Sequence, residues 1–388
     1  MSARALAGLL GAFAGAWVGT VAGAPLGTPV DVPVGTPLTV PAAAAGAAPA
    51  ASARRYATVL PGHALEFPRD FGSHPQFRTE WWYVTGWLQT RKGELLGFQI
   101  TFFRTRPDVD ETNPSAFTPH QLLIAHCAVS DPTRGRLWQD QRIRRAGLGL
   151  AQAREGDTEV WIDDWRLQRR GADYSARLAA DGFALNLTLS ATRPPMENGQ
   201  SGFSRKGPAA ESASYYYSIP QMQIAGSLTR AGKTDPVVGT AWFDHEWSSD
   251  YLDPGATGWD WIGINLDDGG ALMAFRIRGA GGETRWAGGT LERPDGRVRT
   301  LDAADIDFTP ARRWLSPRTG IAYPVVWHVR AGPETIDLEP LMDDQENDTR
   351  LTTGAVYWEG AVRALRGGLP VGRGYLELTG YGERLRIR

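Results

Sequence analysis

Residues 240–247 read TAWFDHEW, an Asp, a His and a Glu in consecutive positions among large aromatics. Burying three ionisable groups costs free energy unless each finds a partner or gives up its charge. Which chemistry they could do depends on the backbone. On a strand, side chains alternate, so Trp242, Asp244 and Glu246 share one face, and Phe243, His245 and Trp247 the other. Asp244 and His245 then point apart and form no local acid–histidine pair. Two carboxyls on one face beside Trp242 are more suggestive. Burial and mutual repulsion raise at least one pKa, which yields a protonated acid near neutral pH. The competing role is structural, with each carboxylate accepting bonds from an arginine or loop backbone and fixing an interdomain corner.

Residues 79–87, TEWWYVTGW, pose the same choice. Glu80, Trp82, Val84 and Gly86 share one face; Trp81, Tyr83, Thr85 and Trp87 share the other. Trp82 or Trp81 could line a ligand cavity, with core packing as the alternative. Tyr215 to Tyr217, Trp259 and Trp261 are further candidates for cavity walls. His120 and His126 fall on one face of a predicted strand, six residues apart, too far to chelate one metal together.

Other site signatures fail. There is no GxSxG nucleophile elbow and no Walker loop, and GAGGET at 279–284 does not fit GxGxxG. HExxH is absent because Ser249, and not a second His, closes the run His245-Glu246-Trp247-Ser248. Residues 342–350, MDDQENDTR, are acidic but lack EF-hand spacing and read as a solvated loop. With a single cysteine, Cys127, no internal disulfide or CxxC metal site can form. No metal and no cofactor is expected.

The elements that must hold these residues are strands. The 388 residues include 15 Trp and 46 Gly, and period-two patterns bounded by turn residues recur from residue 79 to the C-terminus. TEWWYVTGWLQT runs into GELLGFQITFFRT through Arg91, Lys92 and Gly93 as a hairpin, and GFALNLTLSA places Phe183, Leu185, Leu187 and Leu189 on one face. No long helical pattern competes. The expected fold is all-β, with antiparallel sheets closed as barrels or sandwiches. A polar, turn-rich stretch at 248–257 divides the chain into units 58–248 and 249–388. The 41 basic and 43 acidic residues nearly cancel, so no global field points to nucleic acid.

Arg4 followed by an apolar run to Leu26 reads as an export signal over 1–24, with Ala22-Gly23-Ala24 as a cleavage site or the run as an uncleaved membrane anchor. Residues 25–57, rich in Pro and Ala, are expected to form a disordered linker. The chain is therefore expected to be exported, periplasmic or secreted, with membrane association through its first residues.

Across residues 68–381, TEWWYVTGWL, AHCAVSD, YYYSIPQM, AWFDHEW, GWDWIGINLDDG and VYWEGAV…GYLELTGY, in this order, resemble the AttH-like and carotenoid 1,2-hydratase (hydroxyneurosporene synthase) family. The resemblance implies two consecutive lipocalin-like (calycin) β-barrel domains and an apolar ligand such as a lipid, fatty acid or isoprenoid. It also implies hydratase-like or hydrolase-like activity. A hydratase needs a protonated acid, Asp244, to donate to the alkene. It needs aromatic faces for the cation, from Trp242, Trp259 or Trp261, and a base for water, Glu246 or His245. Glu80, Trp82, Tyr216 and Tyr217 complete the candidate ligand site. An export signal departs from a carotenoid hydratase, which would work beside cytoplasm-facing enzymes.

Three readings follow. A binder without turnover has an apolar cavity with no pair of perturbed carboxyls in its wall. An enzyme, hydratase, isomerase or hydrolase, has Asp244 or Glu246 facing that cavity with aromatics within reach. A structural or adhesion module has filled barrels and no cavity.

Overall fold

The computed structural model describes residues 56–109, 112–115 and 117–383. The export signal and the linker up to Arg55 lie outside them. Apart from two three-residue 3-10 turns, Arg69–Phe71 and Ala303–Asp305, the regular structure is antiparallel strand. Among the described residues no helix is long and apolar enough to cross a membrane.

Two strand patterns with different meanings build this fold. Phe183–Ser190 alternates strictly, burying Phe183, Leu185, Leu187 and Leu189 and exposing the residues between them more. That is a sheet with one face in water. Thr79–Thr90 is buried at almost every position. Its Trp82, Val84 and Leu88 enter one core, whereas Tyr83 and Trp87 enter another. A strand covered on both faces reads as a near-continuous apolar run, which is why EWWYVTGW shows so little polar relief.

The first sheet has thirteen strands between Thr79 and Ser248, with Thr79–Thr90 paired to Leu95–Thr105 on one side and to Lys233–Ser248 on the other. Its two edges curl together, Leu122–Ser130 and Trp138–Arg145 packing on Ala151–Ala153 and Glu159–Ile162. The second sheet has ten strands between Gly258 and Leu378, and its Ile306–Leu315 edge returns to Ala271–Arg278 and Thr284–Glu292. The result is two consecutive lipocalin-like barrels, each filled by its own side chains. Trp82, Trp165 and Trp247 occupy the first, and Trp327, Trp358 and Tyr323 the second.

A third apolar layer joins the barrels. Tyr83, Trp87, Tyr216 and Trp242 from the first pack on Trp261, Met273, Phe275 and Tyr375 from the second. Gly97 allows this approach, since a Cβ there would lie 2.6 Å from Ala361 Cβ and 2.8 Å from the Tyr375 hydroxyl. Gly97→Ala is therefore expected to cost about 1–3 kcal/mol through overpacking, measured by urea unfolding. Unchanged stability would mean that the barrels are free to separate there.

Two details differ from the expectation. His120 lies in a bend ahead of Leu122–Ser130, so it shares no strand face with His126. The acidic stretch at 342–350 is also more than a solvated loop. Asp343 and Asp344 pair with Arg312 and Arg318, while Glu346 is buried and bonded to Ser316 and Thr319.

Candidate active site

A cavity of about 340 Å³ lies between the outer faces of the two barrels, not inside either one. It is at the small end of the range for drug-sized ligands, about 300–1,000 Å³. Its walls come from alternate residues of doubly buried strands: Trp81 and Tyr83, Thr101 and Phe103, Trp259 and Trp261, Phe275 and Ile277. Five acidic residues border it, Glu80, Asp244 and Glu246 from the first barrel, Glu359 and Glu377 from the second.

Asp244 sits on Lys233–Ser248 opposite Tyr83 on one neighbouring strand and Ser218 on the other. Oδ1 accepts from Ser218 Oγ at 2.6 Å and Trp242 Nε1 at 2.7 Å, and Oδ2 from Tyr216 OH at 2.8 Å. Trp261 Nε1 donates to the same Tyr216 hydroxyl at 3.0 Å. Burial pushes the Asp244 carboxyl up to about 7 in spite of the three donors. Oδ2 accepts only one of the three bonds, which leaves it a position for a proton.

Glu246 lies one strand repeat further on, opposite Trp81 and Tyr216. Burial raises its carboxyl too, but Lys206 and Ser214 oppose the rise. Lys206 Nζ is 2.9 Å from Oε1, and Ser214 Oγ donates to the same oxygen.

Glu359 and Glu377 face each other directly across neighbouring strands Ala355–Arg366 and Leu369–Leu378. Like charges at such positions repel. Burial raises both, Glu377 to about 8 with Asp244 and Glu246 adding repulsion, and Glu359 well above its usual range with Glu377 adding repulsion. His126, bonded to Tyr357 OH and Thr352 Oγ1, each at 3.0 Å, is pushed down to about 3 by burial and stays neutral.

These raised carboxyls set a pH dependence of stability. A carboxyl that holds its proton more tightly when folded stabilises the fold below its unfolded pKa, and that stability is lost as pH rises through the folded value. These carboxyls are therefore expected to lose the fold a few kcal/mol between about pH 4 and pH 8, a loss that the buried neutral His126 opposes below about pH 6.5. Glu377→Gln should flatten the slope in urea unfolding at a series of pH values. An unchanged slope would mean that Glu377 is ordinarily ionised.

The sequence-predicted residues separate into two groups. Asp244, Glu246, Tyr216, Trp259 and Trp261 meet at the cavity, and Trp242 stands behind Asp244 as its donor. His245, Tyr217, Trp82 and the Glu80 carboxylate do not. Strand alternation turns them into the first barrel, which corrects the expectation that His245 activates water and that Trp82 and Tyr217 touch a ligand. Glu80 borders the cavity, but its carboxylate receives Arg104 Nε at 2.8 Å, His74 Nδ1 at 2.7 Å and His245 Nε2 at 2.9 Å. Burial works against the ionised form, yet Arg104 and His74 hold Glu80 well below the usual carboxylate range. His245 also bonds Tyr217 OH at 3.1 Å and stacks on Trp82.

Among the described residues, His74, Glu80 and His245 bring three ligand atoms within 4.8 Å of one another. All four of their imidazole nitrogens already have partners, and Arg104 supplies the positive charge a cation would bring. The group is a hydrogen-bond network with its counter-ion in place.

Lys206, Tyr83, Tyr251, Glu359 and Glu377 were not singled out from the sequence. Glu377 alternates with buried Leu376 and Leu378 in GYLELTGY, and that alternation was its one visible sign.

The AttH-like family model matches residues 58–381. A crystal structure from Nitrosomonas europaea, provisionally labelled AttH, shares 54% sequence identity. It superposes with a TM-score of 0.79 over 84% of this chain and 99% of that one. The crystal structure of kievitone hydratase from Nectria haematococca shares the fold at 14% identity, with a TM-score of 0.63 over 85% of this chain and 97% of that one. No curated protein matches the chain.

Proposed function

This chain belongs to the AttH-like family, and from its inter-barrel cavity we propose acid–base catalysis on a small apolar molecule: addition of water across, or migration of, a carbon–carbon double bond. The observation that carries this reading is Asp244, a buried carboxyl at the cavity wall that holds its proton near neutral pH. Paired with Glu246 at the same wall, it supports an enzyme over a passive binder.

Hydration proceeds in balanced steps. Asp244 gives its proton to the less substituted alkene carbon, and the π electrons form the new C–H bond. The tertiary cation left behind faces the Trp259 and Trp261 rings, whose negative faces favour it. Water adds to the cation as the Glu246 carboxylate removes its proton. Passing that proton back to Asp244 restores both groups, so the net reaction consumes one water and no cofactor. With loss of a neighbouring C–H proton in place of water addition, the same pair isomerises the double bond.

Export through residues 1–24 is part of this proposal and places the substrate beyond the cytoplasm. The modest cavity points the same way, to a short isoprenoid-like molecule and not a long polyene enclosed whole. The test is incubation of the protein with geraniol and with farnesol in ¹⁸O-labelled water, read by mass spectrometry. One ¹⁸O in a tertiary alcohol, absent with Asp244→Asn, is the expected outcome. Unlabelled, unchanged probes, together with an apolar molecule extracted intact from the purified protein, would favour binding without turnover.

A further inference from the structure

Asp244 and Glu246 are two residues apart on one strand face and border the same cavity. Position alone would make their roles interchangeable; their neighbours do not. The donors to Asp244 are three uncharged groups, and among the described residues no ion pair reaches it. Glu246 Oε1 lies 2.9 Å from the ammonium of Lys206.

Lys206 is an unusual residue to find there. It is 1% exposed, just after the short strand Phe203–Arg205, and does not border the cavity. Its Nζ also donates to Ser204 Oγ at 3.0 Å and lies 4.1 Å from the Phe275 ring centre, 4.8 Å from Tyr216 and 5.4 Å from Tyr251. Burying an ammonium is costly unless it is paired, and here aromatic faces and one carboxylate surround it. Tyr216 joins the two halves of the pair, since its ring faces Lys206 while its hydroxyl donates to Asp244.

We infer that Lys206 is a positioning residue that keeps Glu246 the ionised member of the pair and leaves Asp244 the protonated one. The acid and base roles are then assigned before any substrate arrives. Its use rests on the acid–base function proposed above; its test does not. Around Glu246 stand Ser214, Tyr216, Tyr251, Asp244 on its own strand and Glu377 from the second barrel. None of these carries a positive charge, and Lys206 supplies it.

Carboxyl titration by ¹³C NMR on the whole chain decides the matter, with Glu246→Gln and Asp244→Asn assigning the two signals. In the wild type, Glu246 is expected to titrate below Asp244. Lys206→Met should raise the Glu246 midpoint by about 1–3 pH units, to or beyond that of Asp244, and Lys206→Arg should restore the order. Lys206→Gln, which keeps a donor but no charge, replaces Lys206→Met should the latter not fold. In turnover, the acid limb of the kcat/KM profile should move upward in the uncharged variants, whereas a merely structural lysine would lower kcat at every pH. A reversed order in the wild type, or an unmoved Glu246 midpoint in a folded uncharged variant, overturns the inference. The expected NMR order without any turnover would instead remove the proposed reaction and leave Lys206 its role.

Discussion

Asp244→Asn is expected to reduce turnover by about 10²–10⁴-fold, the usual contribution of a positioned general acid, while making the protein more stable above pH 7. The two effects have one origin. The carboxyl is fully buried, and burial pushes it up to about 7. Above that pH the fold must hold a desolvated charge without a cation beside it; an amide of the same shape carries none. Ser218 and Trp242 still donate to the amide oxygen, while the amide NH2 donates to the Tyr216 hydroxyl, which turns its own hydrogen away. Loss of activity with loss of stability would indicate a structural corner. Loss of activity with gain of stability is the mark of a group held in a costly state for function. The checks are initial rates and urea unfolding at pH 6 and pH 8.5.

The second large effect concerns the polar knot inside the first barrel. Arg104→Met is expected to destabilise the protein by about 3–5 kcal/mol, because it leaves a buried carboxylate uncompensated. Arg104 and Glu80 are both 0% exposed, opposite one another on paired strands. The guanidinium also donates to the His74 and Phe77 carbonyls, tying the segment before the first strand to the barrel. Stability of whole domains is about 5–15 kcal/mol, so the loss should show as a large drop in urea midpoint. Glu80→Gln in the Arg104→Met background should recover part of it by removing the orphaned charge. A near-neutral Arg104→Met would mean that the two histidines suffice as partners.

The barrels differ in how legible these features were. Period-two alternation placed Phe183, Leu185, Leu187 and Leu189 on the core face, and it separated Asp244 and Glu246 from His245, because pleat geometry is local. Which face met which surroundings was not local. Trp82 was expected at a ligand and lies in a barrel core, whereas Tyr83 and Trp81, on the other face, line the cavity. With both faces covered, the usual contrast between apolar and polar sides vanishes, so alternation gives two faces and no label for either. Lys206 was invisible for another reason. It falls in a Gly/Ser/Pro-rich stretch at 198–208 that reads as a connector, and its partner Glu246 is forty residues away. Glu359 and Glu377 meet Asp244 and Glu246 only because the second barrel packs on the first, a contact set by Gly97 and the aromatic layer and not by any motif.

The central claim, that Asp244 delivers a proton to a double bond held between the barrels, is tested most directly by turnover of geraniol in heavy water. The account predicts one carbon-bound deuterium for each new hydroxyl group, placed on the carbon next to the one that gains oxygen. It also predicts a rate that falls as pH rises through about 7, and no incorporation with Asp244→Asn. Deuterium-free product, or equal incorporation by Asp244→Asn, would contradict it.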